Sequence, residues 1–339
     1  MVVLLLPLVA AILFVDLLHP LDKRYHKTPV KPLQEMLYRR LADSGISGDE
    51  LATVGALTLG YKEDLAPELK HHFQASGAAH VLAVSGLHTG IIYALLLGVL
   101  TLGGRFRPMH ENRWGRCALG MGIISAMWGY AWLTGMTPSV VRAVVMVTLV
   151  EFGKMLYRNS LTLNTIAAAA VLILLVRPTD LWSVSFQLSF AATAAIVIMV
   201  PNLFPTLHLK NRLLKRFLTY IIGIIIVSIA AQLGTLPITM YYFKQASTYF
   251  LLANLLVLPL ASLLVPCGLI SIALGGCAAG VWFSKVTWAL AWAMNHSVAW
   301  IEHLPGSTVP ANINGWMVAI YYVLFLFFCF FWAKTKQNK

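Results

Sequence analysis

The stretch Gly77-Ala78-Ala79-His80-Val81-Leu82-Ala83-Val84-Ser85-Gly86-Leu87-His88-Thr89-Gly90 opens a long apolar run, yet it carries two histidines, a serine and an internal glycine. Polar groups cost free energy in hydrocarbon, so these side chains are expected to face protein or water. The pattern predicts a helix broken or bent at Ser85-Gly86 with His88 turned inward, the kind of element that lines a substrate path. A second reading stands beside it, in which Gly86 and Gly90 allow close helix packing while His80 and His88 hydrogen-bond between helices.

Working outward, 59% of the 339 residues are hydrophobic and 11% charged, and the mean hydropathy is +0.75. This composition predicts one all-α polytopic membrane domain rather than two soluble ones. The formal charge of +12, from 25 Lys and Arg against 13 Asp and Glu, is explained first by basic cytoplasmic loops and only then by an anionic substrate. Cys117, Cys267, Cys277 and Cys329 lie in or at the ends of apolar runs without a Cys-x-x-Cys pair, so neither a disulfide framework nor a zinc site is expected. No phosphate-cradling Gly-x-x-x-x-Gly-Lys loop and no His-x-His-x-Asp run is present, and no metal or cofactor is predicted.

Residues 2–19 form an apolar run long enough to span, read as a membrane helix rather than a signal peptide. Lys23, Arg24, Lys27, Lys31, Arg39 and Arg40 follow, and Leu33, Leu37, Tyr38 and Leu41 give this segment a weak amphipathic face. The segment is expected on the cytoplasmic membrane surface, so that residues 1–48 form an N-terminal helix and basic loop, 49–333 the main membrane domain and 334–339 a basic tail. Residues 51–60 and the short helix from Pro67 to Phe73 read as a re-entrant hairpin leading into the opening stretch. Further spans are expected at 80–102, 117–134, 139–153, 162–176, 181–200, 217–241, 249–265, 266–282 and 314–333, about ten in all with the first. Alternation puts Arg105 to Arg116, Lys154 and Arg158, Lys210 to Arg216 and the C-terminal lysines on one side, the cytoplasm, and residues 61–79 and 244–249 outside. Residues 285–303 are interrupted by Lys285, Asn295, His296, Glu302 and His303 and are read as a helix lying in the outer interface.

Several residues stand out as candidates for chemistry. Arg142 lies about one turn inside its segment and either snorkels to headgroups or meets another helix, water or a phosphate. Glu151, nine residues on, is on the opposite face and cannot pair with it. Ser185, Ser189 and Thr193 form one polar stripe and Ser183 with Gln187 another; one would line a path and the other join helices. Gln232, Gly234, Thr235 and Pro237 are expected to interrupt one span, and Asn254, Pro259 and Pro266 the next. Tyr241, Tyr242, Phe243, Tyr249, Phe250 and Lys244 read either as a receiver of single-stranded nucleic acid or as an interfacial aromatic belt. Ser85 and His88 could form a nucleophile and base, but no acidic residue lies nearby to orient His88, so hydrolysis is a minor reading.

The opening stretch resembles the signature of the ComEC family of competence proteins, with Gly77, His80, Ala83, Ser85, Gly86, Leu87 and His88 in register. Leu59-Gly60-Tyr61-Lys62, Arg142-Ala143 with Met146, Phe186 to Phe190, Leu236-Pro237-Ile238 and Leu252 to Leu256 fit in order. The resemblance implies an inner-membrane channel, not an enzyme, that passes one DNA strand to the cytoplasm during natural transformation. It lends path-lining roles to Lys62, His80, Ser85, Gly86, His88, Arg142, Gln187, Pro237 and Asn254. It further implies membrane lipids, a DNA receptor and a cytoplasmic ATP-dependent motor as partners, and a homodimer is a guess. The OB-like and metallo-β-lactamase-like domains of many members are not visible here, so such functions are expected from separately encoded pieces. A transporter of a small anionic or lipidic solute, or an inactive channel remnant, is the alternative.

Overall fold

The computed structural model describes residues 30–82, 84–101, 113–157, 163–205, 210–275 and 277–337. The expected span at 2–19 and the basic residues Lys23, Arg24, Lys27, Arg105, Arg107, Arg158 and Lys339 lie outside them. The chain is helical. In order the helices are α1 Lys31–Asp43, α2 Gly48–Thr58, α3 Pro67–Ala75, α4 Ala79–Leu82, α5 Gly86–Thr101, α6 Arg113–Leu133 and α7 Pro138–Met155. They continue with α8 Leu163–Val176, a 3-10 turn at Pro178–Trp182, α9 Val184–Leu203, α10 Arg212–Phe243, α11 Phe250–Ala273, α12 Ala278–Glu302 and α13 Gly315–Gln337. Among the described residues α9, α10 and α11 are long and apolar enough to cross a membrane, and Gly86–Leu100, Leu163–Val176 and Gly315–Cys329 are shorter apolar helices.

The main core forms where α11 and α12 pack against each other and α2 fits against both. On α12 the buried residues Gly280, Ser284, Thr287, Ala291, Met294, Asn295, Val298 and Ile301 recur every three or four positions, which is one face of a helix. Two polar contacts join it to its neighbours: Thr53 Oγ1 donates to Asn295 Oδ1 at 2.9 Å, and Ser271 and Thr287 hydroxyls lie 3.3 Å apart, while Asn295 Nδ2 is buried without a partner among the described residues. Helices approach closely at Gly268, where a Cβ would come within 2.8 Å of Thr58 Cγ2. A second bundle joins α9 to α10, with α13 alongside. Between the two bundles runs a two-stranded antiparallel ribbon, β1 Gln245–Ser247 with β2 Thr308–Pro310, in the register Gln245 to Pro310 and Ser247 to Thr308.

Three expectations are corrected. The separate spans at 249–265 and 266–282 are not found, because α11 runs unbroken through Pro259 and Pro266 to Ala273. Residues 285–303 do not form a helix of their own; all but His303 belong to the 25-residue α12, in which Asn295 is buried against a neighbouring helix while Lys285, His296, Trp282, Trp288, Trp292 and Trp300 are exposed. Nor do Pro237 and Asn254 break their helices: α10 is continuous over 32 residues and α11 over 24. Pro237 cannot bond to the Leu233 carbonyl one turn back. Tyr321 of α13 supplies the missing donor, its hydroxyl reaching Leu233 O at 2.9 Å, and Tyr322 donates to Gly234 O at 2.7 Å.

The N-terminal segment also differs from its charge reading. Lys31 Nζ meets Glu63 Oε1 at 2.7 Å, and Gln34 Nε2 donates to the carbonyls of Leu59 and Leu133. Helix α1 therefore shares one end of the structure with residues 59–63, which the charge rule places on the opposite side. Burial explains this, since Val30, Gln34 and Leu41 pack into the protein rather than onto a membrane surface.

Candidate functional site

The expected break is present. α4 ends at Leu82 and α5 begins at Gly86. Ser85 acts as the N-cap of α5: its carbonyl accepts from Thr89 N at 3.1 Å, and His88, three residues on, returns Nδ1 to Ser85 N at 3.1 Å. This is the return half of a capping box, with imidazole in place of the usual carboxylate or amide. Ser85 Oγ lies 3.0 Å from the same Nδ1. Because Nδ1 accepts from a backbone N–H, the neutral ring carries its proton on Nε2. His88 is fully buried, and that Nε2 has no hydrogen-bond partner among the described residues.

From the facing helix, Ser139 Oγ donates to Val84 O at 2.6 Å, so the carbonyl freed at the break is satisfied by α7. One turn further along α7 lies Arg142, only 2% exposed. Its Nη2 donates to Ser185 Oγ at 2.8 Å, Asp180 of the 3-10 turn acts on it electrostatically, and Nε and Nη1 have no partner among the described residues. Burial at this depth sets the snorkelling reading aside. Three side-chain donors thus remain, one on His88 and two on Arg142, on helices that meet where Gly86 lies beside Ala143.

The glycines of the break are not there for tight packing. A Cβ at Gly86 would meet only Ala143 at 3.9 Å, and one at Gly90 nothing within 4 Å. Close approach occurs earlier, at Gly77, whose φ of +89° suits glycine and whose Cβ would lie 2.7 Å from Ser247 Oγ. Thus the approach to the break is locked to β1.

The other predicted residues separate into two groups. Lys62 and His80 lie close enough to act electrostatically on His88; His80 Nδ1 donates to Gly77 O at 3.2 Å. Desolvation and then the charge of Lys70 hold the Lys62 ammonium below the ordinary lysine range. Gln187, by contrast, donates to Leu181 O at 3.1 Å, and Ser183 caps α9 by accepting from Phe186 N. The stripe of Ser183 and Gln187 shapes the head of α9, whereas Ser185 of the other stripe meets Arg142. Pro237 is matched by Tyr321, and Asn254 joins α11 to α10 through Ser228 Oγ at 3.1 Å, leaving its Oδ1 buried without a partner among the described residues.

Sequence reading missed two clusters. Glu151, separated from Arg142 as expected, accepts from Tyr93 at 2.5 Å and pairs with Lys154 at 2.8 Å, beside a cavity of about 300 Å³ that Arg116 also lines. The three-residue spacing of Glu151 and Lys154 signals this pair. His71, His72 and Glu302 converge from α3 and α12, and no local spacing announces it.

A sequence profile described as Competence protein matches residues 57–335. The chain is 30% identical over 211 residues to ComE operon protein 3 of Bacillus subtilis, a match covering 62% of this chain and 25% of that protein. It is 27% identical over 218 residues to Recombination protein 2 of Haemophilus influenzae, covering 62% and 27%, and 29% identical over 211 residues to an uncharacterised protein of Escherichia coli, also covering 62% and 27%. The chain therefore matches about a quarter of the length of these relatives. No solved structure matches it.

Proposed function

From the premise that the chain belongs to the Competence protein family, we propose that it is the membrane channel part of a DNA-uptake system and passes single-stranded DNA across the inner membrane. The observation that carries this reading is Arg142, buried to 2% exposure with Nε and Nη1 unpartnered, beside the helix break that holds the unpartnered Nε2 of His88. A guanidinium N–H makes a charge-assisted hydrogen bond to a phosphate oxygen, and a backbone phosphate passing the break would give a partner to donors that are otherwise costly to bury. Names of the relatives, which speak of competence and recombination, support a DNA substrate over a small solute.

The proposal includes a multi-pass topology of about ten spans: the apolar run 2–19 and helices α5 to α13. Replacing the expected span at 266–282 by α12 keeps Arg113 and Arg116, Lys154, Lys210 to Arg216 and the C-terminal lysines on one side, the cytoplasm. The chemistry is passage rather than bond cleavage, with energy and DNA capture supplied by a receptor, an ATP-dependent motor and OB-like or metallo-β-lactamase-like domains. Lipids surround the bundle, and a homodimer is the proposed assembly.

Delivery of labelled DNA to the cytoplasm, in cells whose other competence-type channel is deleted, tests this. Entry with the wild-type chain, lost in Arg142→Ala and His88→Ala at matched membrane levels, is expected. Absence of entry with every partner supplied, or transport of small anions instead, overturns it.

A further inference from the structure

We propose that His71 and His72 of α3 and Glu302 at the end of α12 form a binding site for one divalent cation of the zinc class. His71 Nδ1 lies 3.8 Å from Glu302 Oε1 and His72 Nδ1 3.5 Å from Oε2. One donor atom from each of the three residues falls within 4.8 Å of the others. Ligands around a tetrahedral zinc with bonds of about 2.0–2.1 Å stand about 3.3 Å apart, so small side-chain rotations close this set around an ion. His72 Nδ1 is itself buried without a hydrogen-bond partner among the described residues. A metal would give this nitrogen the partner it lacks.

The donor chemistry selects the ion. Two imidazoles and one carboxylate suit zinc, whereas magnesium and calcium favour oxygen ligands. Three protein ligands leave a fourth position for water, on the side where His71 is exposed. His303 stands behind the carboxylate: its Nδ1 donates to Ala299 O at 2.7 Å and lies 3.1 Å from Glu302 Oε2.

The bound cation pins α3 to α12. Because α3 leads through Gly77 into α4 and the break, metal loading stiffens the approach to the proposed path. The site itself does not depend on what passes there, and its test needs no DNA.

The 339-residue chain, purified in detergent and stripped with a chelator, is titrated with zinc against a chromophoric competitor. One equivalent per chain is expected, weakened at least about 10-fold in His72→Ala and in Glu302→Gln and unchanged in His296→Ala, whose ring is held on Trp292 O. Zinc is also expected to raise the thermal midpoint of the wild type by several degrees and not that of Glu302→Gln. Each variant is compared with itself with and without zinc, so a variant that is less stable without metal still reports. No saturable binding, binding that survives both substitutions, or an equal rise in midpoint in Glu302→Gln overturns the proposal.

Discussion

The α4–α5 junction and the Pro237 turn of α10 carry the same sequence signal, polar residues with glycine or proline inside an apolar run, and resolve it in opposite ways. At Pro237 the freed carbonyl of Leu233 is taken by Tyr321, and the helix continues. At the junction the backbone is also satisfied, Val84 O by Ser139 and Ser85 N by His88, but the helix stops and restarts. What differs is the side chains left over. His88 Nε2 and Arg142 Nε and Nη1 are buried donors without partners among the described residues. The surplus of polar groups, more than the irregularity of the helix, is what makes the junction the candidate site.

The largest effect is expected at the surplus donors. Arg142→Ala should lower DNA uptake by about 10- to 100-fold, the equivalent of one or two hydrogen bonds from a charged group, with Arg142→Lys in between because it keeps the charge with fewer, differently placed donors. Uptake equal to wild type in Arg142→Ala at matched membrane levels would dissolve the contrast between the two regions. Next comes His88, which both caps α5 and presents Nε2. His88→Leu should lower the thermal midpoint through loss of a cap, about 1 kcal/mol, and also lower uptake; His88→Gln, able to accept from Ser85 N and still donate, should recover both. Recovery of stability without uptake would separate the two roles.

The Pro237 region should show a stability effect alone. Tyr321→Phe strands the Leu233 carbonyl at a cost of about 1–2 kcal/mol, read as a fall of a few degrees in thermal midpoint. In a Pro237→Ala background the restored backbone N–H meets that carbonyl, so the same substitution should cost less. Equal losses in both backgrounds would show that Tyr321 does not act through the proline. The smallest effect belongs to Lys31 and Glu63, outside both regions. Lys31 holds the Glu63 carboxyl below the usual carboxylate range, first through its hydrogen bond and then through its charge. The pair's contribution is therefore present above that range and fades as pH falls through the folded-state value. Glu63→Gln should shift the midpoint by at most about 1 °C at pH 7, and the shift should vanish in acid; a shift that persists there would assign it to packing.

The junction was legible because Ser85 and His88, which close the bond at Ser85 N, lie three residues apart, although Ser139, which takes Val84 O, comes from another helix. Pro237 was misread because its remedy, Tyr321, comes from a distant helix. Helix α12 was legible in principle: Ser284, Thr287, Ala291, Met294, Val298 and Ile301 hold helical spacing throughout, yet Asn295 looked like an interruption until Thr53 was in place, and Lys285 and His296 lie on the exposed face. Arg142 could be placed by sequence on its helix but not beside Ser185. The convergence of His71, His72 and Glu302 depends wholly on how α3 meets α12.

The ribbon sets a clock on biogenesis. Strand β1 pairs with β2, which the ribosome makes some sixty residues later. At synthesis rates of about 5–20 residues per second, Gln245–Ser247 waits several seconds with its edge open. Until Thr308–Pro310 arrives, β1 has neither its strand partner nor the closing bond from Ala311 N to Lys244 O, and a nascent chain stalled in this interval should offer β1 to whatever strand or chaperone reaches it first.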